Sequence, residues 1–358
     1  MRGSVTAGMA CAINDLGVAD AFDLVLGSSA GSIVGSYLVA RADHRTTYQF
    51  FCNYLTTSKN HLNGTSWLDI SRLTKLLSPI RPDFSPKSPV MLLEYPMKHI
   101  MQELLPLNWT VFERNNKHQP MKVIASGLFS QGPVILGTEE DSFNDLSSLC
   151  DCIKASCMLP GIAGIQPIWI KGSSSRDPEN LKQGEVSDSL ASFVPEVEPL
   201  VDALVYEPIP YRSALSSGCS HVLVLRSYPD GNLMPKSLLG IFERLIAPKC
   251  LDPFPKVKKH LHDAGHSIIY AKDILLLNQQ ASKGLVSNQA ADEGRQEEET
   301  DPRLFAIAPL DVDDVISQLA LDRNVLLAGI LQGFVRAYDI LGDPSRSLTG
   351  AERAIDLF

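Results

Sequence analysis

Gly27-Ser28-Ser29-Ala30-Gly31 is the stretch of this sequence whose residue types and spacing best fit chemistry. It has the form G-x-S-x-G, which sets a serine on a sharp turn between a strand and a helix. Such a turn lifts the Ser29 hydroxyl clear of the backbone, and Gly27 and Gly31 remove side chains that would clash as strand and helix close. The helix that follows aims free N–H groups and its dipole at the serine, where they stabilise charge on an attacked carbonyl. The chemistry implied is acyl transfer to a serine oxygen. Without its surroundings, the pentapeptide fits equally a turn that only connects β to α, or one that cradles a phosphate.

A serine nucleophile needs a base. Histidine held by a carboxylate is the familiar one, and His221, His260, His262 and His266 lie downstream. His221 opens a strand-like run, and the other three fall in the basic stretch 256–266, so none stands in a catalytic motif. The turn also begins at residue 27, early for an ordinary α/β-hydrolase, whose sheet places several strands and an oxyanion loop before it.

The elements that must hold the turn follow from hydrophobic spacing. Val5, Met9, Ala12, Ile13 and Leu16 recur at helical intervals, and Gly17 ends that helix. Residues 22–26 form a short apolar run fit for a buried strand, and 32–39 a buried helix. Residues 41–120 read as mostly helical, broken by a proline-rich stretch at 79–89. Residues 121–125 and 133–136 read as paired strands across the turn Ser130-Gln131-Gly132, and 146–156 as a helix. Residues 171–199 are polar and read as a surface loop, 200–205 resume an apolar pattern, and 221–225 form a strand. Residues 287–302 are an acidic loop, 304–308 a last strand and 324–341 a terminal helix. Strands alternating with helices predict an α/β layered domain with a mainly parallel sheet.

Composition narrows the functions. A net charge of −9 gives no basic face for nucleic acid. The seven cysteines are odd in number and scattered, unlike a disulfide framework, and predict a reducing, intracellular setting. Cys150 and Cys152 form a lone C-x-C, short of the paired clusters of structural zinc. No run of 18 or more apolar residues and no leader are expected, which predicts a cytoplasmic or peripheral membrane protein.

Four blocks in order resemble the patatin-like phospholipases. That family has a glycine-rich oxyanion loop, G-G-G-x-R-G, then a helix, a strand and G-x-S-x-G, with the base in a D-G-[GA] motif. Met1-Arg2-Gly3-Ser4 is similar to the tail of that loop, and Ala7-Gly8-Met9 to the helix after it. Phe22-Asp23 leads into an elbow close to the family's. Ala155-Ser156-Cys157-Met158-Leu159-Pro160-Gly161 resembles its A-S-x-A-x-P segment. Leu200-Val201-Asp202-Ala203-Leu204-Val205, then Glu207-Pro208-Ile209-Pro210, resembles the segment carrying the aspartate, with bulky Leu204 where a small residue is usual.

The resemblance covers about residues 1–230, with a looser likeness in the terminal helix. It implies a three-layer α/β/α fold with a mainly parallel central sheet. Residues 1–230 form the acyl hydrolase domain, with the polar insertion 171–199. Residues 231–358 form a mostly helical extension, packed on the same domain. Ser29 becomes the nucleophile and Asp202 its base, with Arg2, Gly3, Gly27, Ser28, Ala30 and Gly31 forming the elbow and oxyanion site. The three glycines and the first strand are expected before Met1. The implied activity is lipid acyl hydrolysis of glycerolipid or phospholipid esters, with no cofactor and no metal. Contact with a membrane or lipid-droplet surface is transient, through residues 90–110 and Lys249, Lys256, Lys258 and Lys259. The alternative is a catalytically impaired lipid-binding or regulatory protein on the same fold.

Overall fold

Apolar runs of different length set the strand–turn–helix unit around Ser29. In the computed structural model, which describes residues 1–56, 67–72, 89–174, 197–229, 246–291, 303–310, 316–317 and 319–358, α1 (Gly3–Asp15) leads to β1 (Val25–Ser28) and α2 (Ala30–Val39). Gly17 ends the first unit with φ 69°, a left-handed conformation that glycine adopts without strain. The strand starts at Val25, three residues into the expected run, after a 3-10 turn at residues 19–21. It continues through Ser28, so the turn tightens onto Ser29 alone.

Two short helices, α3 (His44–Tyr48) and α4 (Trp109–Asn116), flank π-helical turns at Gln49–Tyr54 and Tyr95–Leu104. Tyr95, Met97, Ile100 and Met101 of the second turn are buried in the core, while Leu104 at its end is 41% exposed. Then come β2 (Met121–Gly127), β3 (Pro133–Leu136), α5 (Leu146–Ser156), β4 (Ile168–Lys171), β5 (Ser173–Ser174) and β6 (Val197–Val201). The chain ends with α6 (Tyr211–Ser216), β7 (His221–Leu225), α7 (Ala247–Cys250), α8 (Pro255–His262), α9 (Gly265–Ala291), β8 (Arg303–Ile307), α10 (Arg323–Leu341) and α11 (Gly350–Leu357).

The central sheet is mixed. β1 pairs parallel with β2, Ser28 lying opposite Ile124, because a helical crossover joins them. β3 returns antiparallel along the other edge of β2 through the expected turn, where Gln131 takes φ 57°. β6 pairs antiparallel with β2, Ser126 opposite Val201 and Gly127 opposite Leu200, and β4 lines the far side of β6. β7 and β8 make a separate parallel pair. On one face, Met121, Val123 and Ala125 enter the main core, and on the other Leu26, Ile124 and Ile135 pack with Ala203.

Both expected polar loops are shorter than the sequence indicates. Residues 168–171, 173–174 and 197–201 are strands of the sheet, hidden in the sequence by Ser173, Ser174, Glu198 and Pro199. Glu198 is 2% exposed because its carboxylate accepts hydrogen bonds from the N–H groups of Phe129 and Ser130. At the acidic stretch, α9 runs to Ala291. Residues 175–196 and 292–302, and nearly all of the proline-rich stretch at 79–89, lie outside the described residues.

All seven cysteines are free thiols. By length and composition, α10 is apolar enough to cross a bilayer. It nevertheless joins the core through Leu326, Ile330, Phe334 and Ala337. Its seam with α1 is closed by small residues. A Cβ on Gly8 would lie 1.9 Å from the Ile330 carbonyl oxygen, and one on Gly333 1.9 Å from that of Val5. Gly333→Ala is therefore expected to destabilise the fold by about 1–3 kcal/mol, the usual cost of overpacking. Gly31→Ala, whose Cβ would meet nothing within 4 Å, should be close to neutral. Chemical denaturation compares the two, and equal midpoints would refute the close seam.

Candidate active site

Ser29 has φ 52° and ψ −125°, a backbone conformation that L-residues other than glycine rarely hold. Neighbours must over-determine such strain, and here one buried side chain supplies the clamp. The Ser29 N–H donates to Ser156 Oγ at 2.8 Å. Ser156 is fully buried at the end of α5, and its hydroxyl donates to the Ile124 carbonyl on β2. Ser32 Oγ lies 3.3 Å from Ser156 Oγ. Elbow, β2 and α5 thus meet at one hydroxyl.

The glycines on either side of the elbow are not equivalent. A Cβ on Gly27 would lie 2.4 Å from Ser32 Cα and 2.7 Å from the Gly31 carbonyl oxygen, so strand and helix close only over glycine. Gly31 faces open space, so sterics within the fold do not require a glycine there. Ser28 Oγ donates to the Glu207 carbonyl, 3.1 Å away, tying the elbow to the chain beyond Asp202. Gly3 packs against Ala30, where a Cβ would lie 3.0 Å from the alanine's own. The start of α1 therefore borders the start of α2. Arg2 sends its guanidinium 3.7 Å over the Tyr228 ring, and burial lowers its pKa to about 10. Any part it takes at the elbow falls to its backbone.

Asp202 follows β6 and is 1% exposed. Its Oδ2 accepts a 2.9 Å hydrogen bond from Ser29 Oγ, and its Oδ1 a 2.8 Å bond from the Leu204 N–H. Its own N–H donates to the Met158 carbonyl at 2.9 Å. The bulky residue after the aspartate does no harm, since it is the Leu204 backbone that binds the carboxylate. Ala203, at 0% exposure, packs under the sheet. Burial pushes the Asp202 carboxyl up to about 7, against the pull of the Leu204 and Ser29 hydrogen bonds. Cys157 Sγ lies 3.9 Å from Ser29 Oγ, and burial, helped by the Asp202 charge, pushes its thiol far above the usual range. It meets the hydroxyl as a neutral S–H.

The histidines go elsewhere. His260 Nε2 bonds the Val205 carbonyl, and its ring stacks on Tyr206 at 4.8 Å. His221 bonds Ser220, His262 bonds Asp263, and His266 is buried beside Ser267. Among the described residues no histidine bonds Ser29 Oγ, and no cluster of ligating side chains could hold a metal ion. Sequence reasoning missed Ser156, Cys157 and Met158 as members of the site. Their signal was present, since Ala155-Ser156-Cys157-Met158 is one of the four blocks of resemblance, but nothing in that string tells which side chain turns toward the serine.

The arrangement holds a strained serine, its hydroxyl bonded to a buried carboxylate, at the starts of two helices. It can generate an alkoxide and receive its proton at one oxygen. No curated protein matches the chain. The family described as patatin-like phospholipase matches residues 1–215, which hold the elbow, the Ser156 segment and Asp202. The chain belongs to the patatin-like phospholipase family, whose activity is in general lipid acyl hydrolysis.

Proposed function

We propose that this protein cleaves ester bonds of glycerolipids through a Ser29–Asp202 dyad and an acyl-enzyme. The observation that carries this reading is the 2.9 Å hydrogen bond from the hydroxyl of a strained serine to a carboxylate sealed from water. Ser29 Oγ attacks the acyl carbonyl while its proton passes to Asp202 Oδ2. The leaving alcohol takes that proton as the carbon–oxygen bond breaks. Water then attacks the acyl-enzyme, gives a proton to Asp202, and releases a fatty acid as Ser29 recovers its hydrogen. The Ser29 N–H is already bonded to Ser156, so the oxyanion is left to first-turn donors such as the Ala30 N–H. The starts of α1 and α2 add their positive ends there.

Ser29→Ala should abolish release of p-nitrophenol from a short-chain ester and of fatty acid from phospholipid. A chain that binds lipid and turns over neither substrate would sink the catalytic reading and leave a lipid-binding protein.

The buried carboxylate fixes the pH response. Asp202 must be ionised to act as base, so kcat/KM is expected to rise about tenfold per pH unit below pH 7 and level off above it. The stability sign runs the other way. A carboxyl whose pKa rises from 3.8 to about 7 on folding binds its proton more tightly in the native state, so stability falls as pH climbs through that window. Asp202→Asn should therefore abolish turnover while raising the melting temperature at pH 8, the gain vanishing below pH 4. A lower melting temperature for the variant at pH 8 would show that the carboxylate stabilises the fold instead.

Ser156→Ala removes the clamp on the elbow. One lost hydrogen bond to a strained amide, about 1–3 kcal/mol, should lower kcat roughly tenfold or more with little change in KM. Stopped-flow acylation measures it, and an unchanged acylation rate would show that the strain is held elsewhere.

A further inference from the structure

Three aromatic side chains gather past the end of β2, two of them exposed and Phe254 half-buried against the core. Phe129 is 49% exposed and Trp169 56%. Their rings meet edge to face at 5.7 Å, and Phe254 lies 5.9 Å from Phe129. Water-exposed aromatics are usually scattered, and a contiguous group marks an interaction surface. This group is held stiffly. The buried Glu198 carboxylate takes the N–H groups of both Phe129 and Ser130, and Trp169 stands opposite Pro199 in the β4–β6 register.

Strand direction places the group on the edge of the sheet that carries Ser29. β1 and β2 run parallel, so Phe129, just past the end of β2, lies off the same carboxyl ends as Ser29. Leu128 N–H bonds the Pro199 carbonyl, which brings Trp169 to that level. Phe254 leads into α8, whose His260 packs on Val205 and Tyr206, just after Asp202. Exposed Lys256 and Lys259 follow on the same helix, while Lys258 pairs with Asp252. A chain with net charge −9 thus carries apolar rings at this end of the sheet with two exposed lysines on the helix that follows Phe254. Tryptophan and phenylalanine seat at the headgroup level of a bilayer, and lysine meets its phosphates.

We propose that Phe129, Trp169 and Phe254, with Lys256 and Lys259, seat this protein on a phospholipid bilayer and hold its active site against the lipid. The proposal rests on the lipid-hydrolase reading, and its test separates the two. Ser29→Ala protein is mixed with phosphatidylcholine–phosphatidylglycerol vesicles containing brominated phosphatidylcholine, and tryptophan emission is followed. Emission should shift blue and be quenched, and Trp169→Phe should remove most of that quenching, leaving Trp67 and Trp109. Phe129→Ser should weaken vesicle binding about tenfold, the scale of one aromatic kept out of the apolar phase. Lys256→Glu with Lys259→Glu should weaken it further and flatten its salt dependence.

With Ser29 intact, the aromatic substitutions should lower hydrolysis of vesicle lipid and leave turnover of a soluble short-chain ester nearly unchanged. Equal quenching of Trp169→Phe protein overturns the proposal. So does a Trp169 emission shift that follows protein concentration, which marks a self-association surface. A shift produced by deleting residues 175–196, with no response to vesicles, would make that segment the occupant and overturn it as well. Absence of soluble-ester turnover in the intact chain strikes the catalytic reading alone, because the binding measurement uses protein that lacks the nucleophile.

Discussion

The contact between Ser29 Oγ and Asp202 Oδ2 asks for two conditions that oppose each other. The carboxylate must be ionised to take a proton, yet it sits at 1% exposure, where burial favours its neutral form. Two hydrogen bonds, from Leu204 and from the serine itself, offset part of that cost. A carboxylate left in water would be ionised readily but would bind protons too weakly to help at neutral pH. Burial raises its basicity toward the working pH, which is what a base without an intervening imidazole requires.

Positioning the serine is the second constraint, and it is met by side-chain hydrogen bonds between elements far apart in sequence. Ser156 joins the elbow to β2 and α5, and Ser28 joins it to Glu207. Glu207 is itself buried, its carboxylate accepting from both the N–H and the hydroxyl of Ser213 at the start of α6. Behind the elbow, α1 is pressed against α10 with no room for a β-carbon at Gly8 or Gly333. The terminal helix thereby braces the element that opens beside Ala30, so the last part of the chain supports a site built from its first two hundred residues.

Much of this was legible in the sequence. Residues 133–136, 146–156 and 221–225 fall where their apolar patterns end, since each is bounded by polar or turn-forming residues. The elbow was legible because an apolar run fit for a strand stands before G-x-S-x-G and an apolar helix pattern after it. Asp202 became a candidate through its resemblance to a family motif, because an aspartate before an apolar residue is ordinarily a cap or a turn. Local signals could not reveal β5 and the start of β6. Ser173 and Ser174 pair with β3, and Glu198 owes its burial to bonds with Phe129 and Ser130, all partners distant in sequence. The clamp at Ser156 was hidden for the same reason, as was the aromatic group, whose members come from β4 and two connections distant in sequence.

One feature of the sheet sets how far apart the two reacting side chains can be. β1 and β6 approach each other from opposite directions along a single edge of β2, one stopping opposite Ile124 and the other opposite Ser126. That central strand acts as a ruler, with Ala125 as its only division between the ends that carry Ser29 and Asp202. An extra residue bulging there would add about 3.3 Å, more than the whole hydrogen bond, and would turn one partner to the opposite face. A change of length at this one spot would therefore part Ser29 from Asp202, although the two stand 173 positions apart in the sequence.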